Sequence, residues 1–306
     1  MNMKQALSVL LGASLCLPLT ACAHKTVTPQ TTAAPAAVAS EGPAEIVQQA
    51  TAETTFPPAP EPADQDFVPV SAYIPDILVE LKYSAADNFT GQAIYEFQDA
   101  FARYGTVKKL AAVQETLREA GLGLKIWDAF RPVAAQFRLW EVCPDSTYVA
   151  DPRKGYSNHS RGNAVDVTLV DAQGRELEMP TPFDDFSGRA DRNYSDCTEA
   201  AAENARLLQG IMERNGFVPY YGEWWHFADE VKYPVEEVFE PISRARYCVQ
   251  GRETILRAEP DGQSPVLTRL SDGETLDVLG WYGNYALVEY CGLLCYTETD
   301  NLEPVP

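Results

Sequence analysis

Two of the chain's three histidines fall in the fragments Ser157-Asn158-His159-Ser160-Arg161-Gly162-Asn163-Ala164-Val165-Asp166 and Glu223-Trp224-Trp225-His226; the third, His24, lies near the N-terminus. Imidazole nitrogens and carboxylate oxygens are the donors that a hydrolytic metal ion takes. His159, Asp166 and His226 would supply three ligands and leave a position open for water. This constrains the fold, because the ligands must arrive from different directions: a loop, the strand after it, and a distant segment have to converge. Glu223, three residues before a ligand histidine, is placed to take a proton from that water. Either histidine alone would read as a hydrogen-bonded structural residue; the set reads as a metal site.

The ends of the chain add context. Lys4 followed by the apolar run Ala6 to Leu19 reads as an export signal, shorter than the ~20 residues that a membrane-spanning helix needs. It ends in Leu19-Thr20-Ala21-Cys22, which resembles the lipobox of bacterial lipoproteins. The resemblance implies cleavage before Cys22 and lipidation of that cysteine. An ordinary signal peptide cut after Ala21 or Ala23 is the alternative. The implied location is outside the cytoplasm, anchored by lipid alone: on the outer membrane facing the periplasm, where Ala23 fits the sorting rule, or on the cell membrane of a Gram-positive cell. Residues 22–66 are rich in Ala, Pro, Thr and Glu with few large apolar side chains, the composition of a disordered tether. Roughly 240 residues remain, enough for one full domain and a small second one. The net charge of -20 argues against nucleic acid as a partner.

Setting aside Cys16 in the signal and Cys22 at the lipid site leaves Cys143, Cys197, Cys248, Cys291 and Cys295. In an exported chain these suggest a Cys143–Cys197 disulfide and a second from Cys248 to Cys291 or Cys295, with one thiol left over.

From residue 67 to 243 the pattern alternates strand and helix. Ile77–Tyr83, Leu124–Asp128, Ala164–Val170 and Glu223–Phe227 read as strands; Lys108–Ala120, Pro132–Trp140 and Thr198–Asn215 read as helices. The expected class is α+β, a small sheet flanked by helices. Asp166 lies on the clearest strand, and Trp224 and Trp225 are candidates for low-dielectric walls.

At these residues the chain resembles the zinc D-alanyl-D-alanine dipeptidases, the VanX-type branch of the M15 metallopeptidases. The Ser157-x-His159…Asp166 and Glu223-x-x-His226 elements belong to the wider group. The stretches Leu81-Lys82-Tyr83 with Asp87-Asn88-Phe89-Thr90-Gly91, Asp128-Ala129-Phe130-Arg131-Pro132, Ser157 to Gly162, and Met179-Pro180-Thr181-Pro182-Phe183-Asp184 select the dipeptidase branch. Pro180 departs from the glycine usual there. The resemblance implies a mainly antiparallel sheet, one zinc ion per chain on His159, Asp166 and His226, Glu223 as catalytic base, and Arg131 as stabiliser of the oxyanion. A guanidinium, always charged and with fixed donors, suits that last role; an ion pair with Asp128 is the competing one. Ser157 and Arg161 are expected to order the ligand loop or touch substrate, and Tyr83 and Asp184 to hold the substrate amine.

The implied substrate is the D-Ala-D-Ala dipeptide. Export favours a rival, trimming of peptidoglycan stem peptides by a D,D-carboxypeptidase or endopeptidase. A catalytically inactive wall-binding lipoprotein would have no reason to keep the whole residue set. Residues 246–304 change to short β-like runs, Thr254–Arg257, Val266–Leu270, Thr275–Leu279 and Ala286–Tyr290, separated by Gly and Asp-Gly turns. This stretch resembles a small all-β bacterial SH3-like barrel, which implies either docking to the cell wall or passive packing on the enzyme.

Overall fold

The computed structural model describes residues 60–146 and 148–305, all within one compact unit, Thr54–Pro306. The export segment, Cys22 and most of the expected tether lie outside the described residues. The tether's last residues are packed rather than loose: Tyr104 donates to Glu61, and the Ala63 amide donates to Asp66. Among the described residues no helix is long and apolar enough to cross a membrane.

Strand β1 (Phe67–Pro69) leads into the short helix α1 (Val70–Tyr73) and then into β2 (Leu78–Val79). The strand expected over Ile77–Tyr83 is cut to two residues, because Lys82–Ser84 turn into a 3-10 helix in which the Ser84 hydroxyl and amide both donate to the Leu81 carbonyl. Such a local bond competes with strand pairing. Strand β3 (Phe101–Arg103) pairs antiparallel with β1 and runs straight into α2 (Tyr104–Glu119). Val107, Leu110, Val113, Gln114 and Leu117 form the buried stripe of α2, and Gly121, at φ 72°, ends it. Gln114 belongs to the stripe because its side chain accepts from the Leu124 amide and donates to Asp76.

Next come β4 (Leu122–Asp128), α3 (Val133–Val142) with Pro132 at its cap, β5 (Ala164–Asp171), and α4 (Glu199–Arg214), capped by the Thr198 hydroxyl. Strands β6 (Phe217–Pro219) and β7 (His226–Asp229) complete a five-stranded sheet of order β2-β4-β5-β7-β6, antiparallel except at β2–β4. The expected strand over Glu223–Phe227 starts only at His226, since Glu223 to Trp225 form a turn whose Trp224 amide donates to the Ala190 carbonyl.

The remaining strands are β8 (Phe239–Val249), β9 (Thr254–Arg257), β10 (Val266–Leu270), β11 (Thr275–Tyr282), β12 (Tyr285–Tyr290), β13 (Leu293–Glu298) and β14 (Leu302–Pro304). They form one antiparallel sheet of order β10-β9-β13-β12-β11-β8-β14, with two open edges, so the expected closed barrel is not formed. Strand β8 begins at Phe239, ahead of the boundary read at residue 243, and pairs Phe239 with Tyr282 and Pro241 with Gly280.

The five described cysteines are all free, which corrects the expected disulfides. Cys143 and Cys197 pack as small hydrophobes against the same core, and the Cys197 thiol points to the Tyr194 carbonyl. The Cys248 thiol faces the Val249 carbonyl, and Cys295 is buried among apolar side chains that push its thiol up to about 12.

Candidate metal centre and active site

Strand register assembles the centre. Asp166, near the start of β5, stands opposite Asp128 of β4 on one side and His226 of β7 on the other, so the three side chains share a face of the sheet. His159 comes to that face from a 3-10 turn, His159–Arg161, closed by Gly162. Gly162 is required twice over: its φ is 73°, and a Cβ there would meet the Phe67 ring at 2.4 Å.

His159 Nδ1 donates to the Ala129 carbonyl at 2.7 Å, which fixes the tautomer and turns the Nε2 lone pair into the site. That Nε2 lies 3.3 Å from Asp166 Oδ2 and 3.2 Å from His226 Nδ1, and His226 Nδ1 lies 2.9 Å from Asp166 Oδ1. One ligand atom from each residue falls within 4.8 Å of the others. Two imidazole nitrogens and a carboxylate converging this closely form a donor set that fits a small divalent cation. The electrostatics agree. Burial would push the Asp166 carboxyl up, but the two imidazoles outweigh it and hold the group well below the usual carboxylate range. Burial likewise opposes a charge on His159, yet Asp166 and Asp128 raise its pKa. The pocket favours positive charge.

Glu223 approaches from the turn before β7, its Oε2 3.9 Å from His226 Nδ1. Burial raises its carboxyl above the ordinary value, with Asp166 adding to the effect and His226 opposing it. Arg131 is buried and held on three sides. Its Nε and one terminal nitrogen donate to Asp128 Oδ2 at 3.1 and 2.6 Å, and the other terminal nitrogen donates to Gln136 Oε1 at 2.9 Å. The ion pair with Asp128 that competed with the oxyanion role is therefore present. It still leaves an N–H on each terminal nitrogen of a group that lines the cleft.

The cleft has a volume of about 310 Å3 and is bordered by His159, Asp166 and His226 together with Tyr83, Arg131, Ser157, Asp184, Glu223 and Trp225. Tyr83 donates to Asp184 at 2.9 Å. Asp184 has φ 56°, a left-handed conformation that aspartate tolerates better than most residues, and burial pushes its carboxyl up to about 8. A second groove of about 710 Å3, floored by Trp127, Pro180 and Phe183, shares Asp184 with the cleft. Ser157 orders the ligand turn by accepting from the His159 amide at 3.2 Å. Arg161 does not border the cleft; its guanidinium donates to the Tyr233 carbonyl at 3.0 Å. Trp225 forms a wall, whereas Trp224 is core, donating to Thr181 and packed edge-on to Trp127.

Sequence reasoning missed three groups. Tyr95 donates to Asp128 Oδ1 at 2.7 Å, Gln136 ties Arg131 to the Ala150 carbonyl, and Arg192 donates to the carbonyls of Tyr220 and His226. Only Gln136, a polar residue inside the apolar start of α3, carried any local signal.

A family profile described as D-ala-D-ala dipeptidase, of the M15 peptidases, matches residues 63–242. A D-alanyl-D-alanine dipeptidase of Escherichia coli (strain K12) is 42% identical over 162 residues, covering 53% of this chain and 83% of that protein. Proteins of the same name from Enterococcus faecium and Enterococcus faecalis are 34% and 32% identical over 170 and 168 residues, each match covering 48% of this chain and 83% of the relative.

Proposed function

The chain belongs to the D-Ala-D-Ala dipeptidase family of M15 peptidases, and from that premise we propose that it hydrolyses D-alanyl-D-alanine to two D-alanines at a single zinc ion. The observation that carries this reading is the convergence of His159, Asp166 and His226 at the floor of a cleft that Glu223 and Arg131 also border. His159, Asp166 and His226 would hold the zinc ion, which would supply Lewis acidity to acidify a water and polarise the scissile carbonyl. Glu223 takes the proton of the attacking water and passes it to the leaving amine; its raised pKa suits both halves of that transfer. The two uncommitted N–H groups of Arg131 receive the carbonyl oxygen as it gains charge. Trp225 and Tyr83 exclude water around them.

A peptidoglycan stem peptide is the alternative substrate, favoured by the second groove that meets the cleft at Asp184. The test is a paired assay of the full chain on the free dipeptide and on a pentapeptide stem, with and without a chelator. The expected result is faster hydrolysis of the dipeptide, loss of activity with chelator and recovery with zinc. Preference for the stem overturns the substrate, and activity that survives full removal of metal overturns the chemistry.

Asp184 is read as the acceptor for the substrate ammonium. With a folded pKa near 8 against 3.8 for the free side chain, the folded state binds the extra proton between those values. Stability therefore falls as pH rises through that window. Asp184→Asn is expected to raise Tm by about 2–4 °C at pH 8 and by little at pH 4, while raising KM for the dipeptide. A Tm gain that is equal at both pH values would sink the burial argument.

A further inference from the structure

We propose that the C-terminal sheet is a working part of the active site: Phe239 and Tyr282 are positioning residues that hold the Ala129–Arg131 turn, and with it Arg131 and His159. The proposal rests on the roles given above to those two residues.

The turn is tied to the ligand loop at two points, His159 Nδ1 to the Ala129 carbonyl and the Arg131 amide to the His159 carbonyl at 3.1 Å. Between them sits Phe130, 1% exposed, so any shift of its ring moves both bonds. Phe130 rests on an aromatic block drawn from the β1–β3 pair and the C-terminal sheet. Its ring centre is 4.4 Å from that of Phe67 and 5.8 Å from that of Phe239, and Phe239 stacks on Phe67 at 5.2 Å and on Tyr282 at 4.8 Å. Phe101 completes the block, 5.3 Å from Phe239, while its carbonyl accepts from the Phe130 amide. Gly280 makes room for this packing, since a Cβ there would meet the Phe239 ring at 2.4 Å. The chain leading into β8 also grips the ligand turn directly, through the Glu236 amide on the Ser160 carbonyl. Arg103 bridges the same region, donating to the carbonyls of Arg161 and Pro234.

Aromatic rings packed this closely transmit displacement rather than absorb it, and a misplacement of about 1 Å at a reacting group costs on the order of a hundredfold in rate. Leu256 is buried in a separate apolar cluster of the same sheet, apart from the one that holds Phe67, Phe101, Phe130 and Phe239, and supplies the control. In the full chain, Phe239→Ala is expected to lower kcat by about ten- to a hundredfold with KM within about twofold. Its zinc affinity, read by competition with a chromophoric chelator, should weaken about tenfold. Leu256→Ala, which opens a comparable cavity and lowers Tm, should leave both kinetics and zinc affinity within about twofold. Where Phe239→Ala does not accumulate, Phe239→Leu and Tyr282→Leu are read in its place, with smaller losses in the same direction. The proposal fails if the folded Phe239 variants keep wild-type kcat and zinc affinity, or if Leu256→Ala loses turnover in proportion to its Tm as they do. Either outcome leaves the wild-type assay intact, whereas a wild type inactive on every D-Ala peptide strikes the functional reading instead.

Discussion

Glu223→Ala is expected to keep its metal and to lose turnover by about a thousandfold or more, the upper part of the range for a general base. The geometry separates the two effects. His159, Asp166 and His226 bond to one another and to the Ala129 carbonyl without help from Glu223, so removing its carboxyl leaves the donor set standing. Glu223 Oε2, at 3.9 Å from His226 Nδ1, is near enough to reach a water in the site. Steady-state kinetics with metal content measured on the same preparation decides the matter. A metal-loaded Glu223→Ala with near wild-type turnover removes Glu223 from the mechanism.

That pairing of a donor set with an adjacent acid was legible because the signal is local and scarce: three histidines in the chain, two of them beside acids at short spacing. Strand β5 was equally plain, an apolar run interrupted by Asp166. What escaped was set by tertiary contact. Tyr95 reaches Asp128 across 33 residues, and nothing near it in the sequence distinguishes it from a core tyrosine. Arg161 sits in the most informative fragment of the chain, yet its guanidinium turns to the Tyr233 carbonyl, because the 3-10 turn that aims His159 inward sends Arg161 the other way. The cysteines suggested disulfides by compartment alone, and packing decided otherwise. The start of β8 was hidden by Pro241, a residue that argues against a strand interior, although Phe239 on that strand belongs to the aromatic block behind Arg131.

Asp128 and Asp166 stand opposite each other on neighbouring strands and divide the polar contacts of the site: Asp166 meets His159 and His226, and Asp128 holds the Arg131 guanidinium. On the proposed mechanism Arg131 is both a structural and a catalytic residue, and its replacement should register twice. Arg131→Met leaves the fully buried Asp128 without its counter-ion, a cost of about 3 kcal/mol, near the low end for a broken buried pair because Tyr95 and the Ala129 amide still donate to it. Turnover should fall by about a hundredfold or more, the loss expected from removing an oxyanion donor. The double variant Arg131→Met/Asp128→Asn tells the two apart. It removes the stranded charge while keeping an acceptor for Tyr95, so Tm should recover most of the loss while kcat stays depressed. If kcat returns together with Tm, Arg131 serves only to neutralise Asp128. If the single variant raises KM and spares kcat, Arg131 binds substrate in the ground state rather than meeting the oxygen that gains charge.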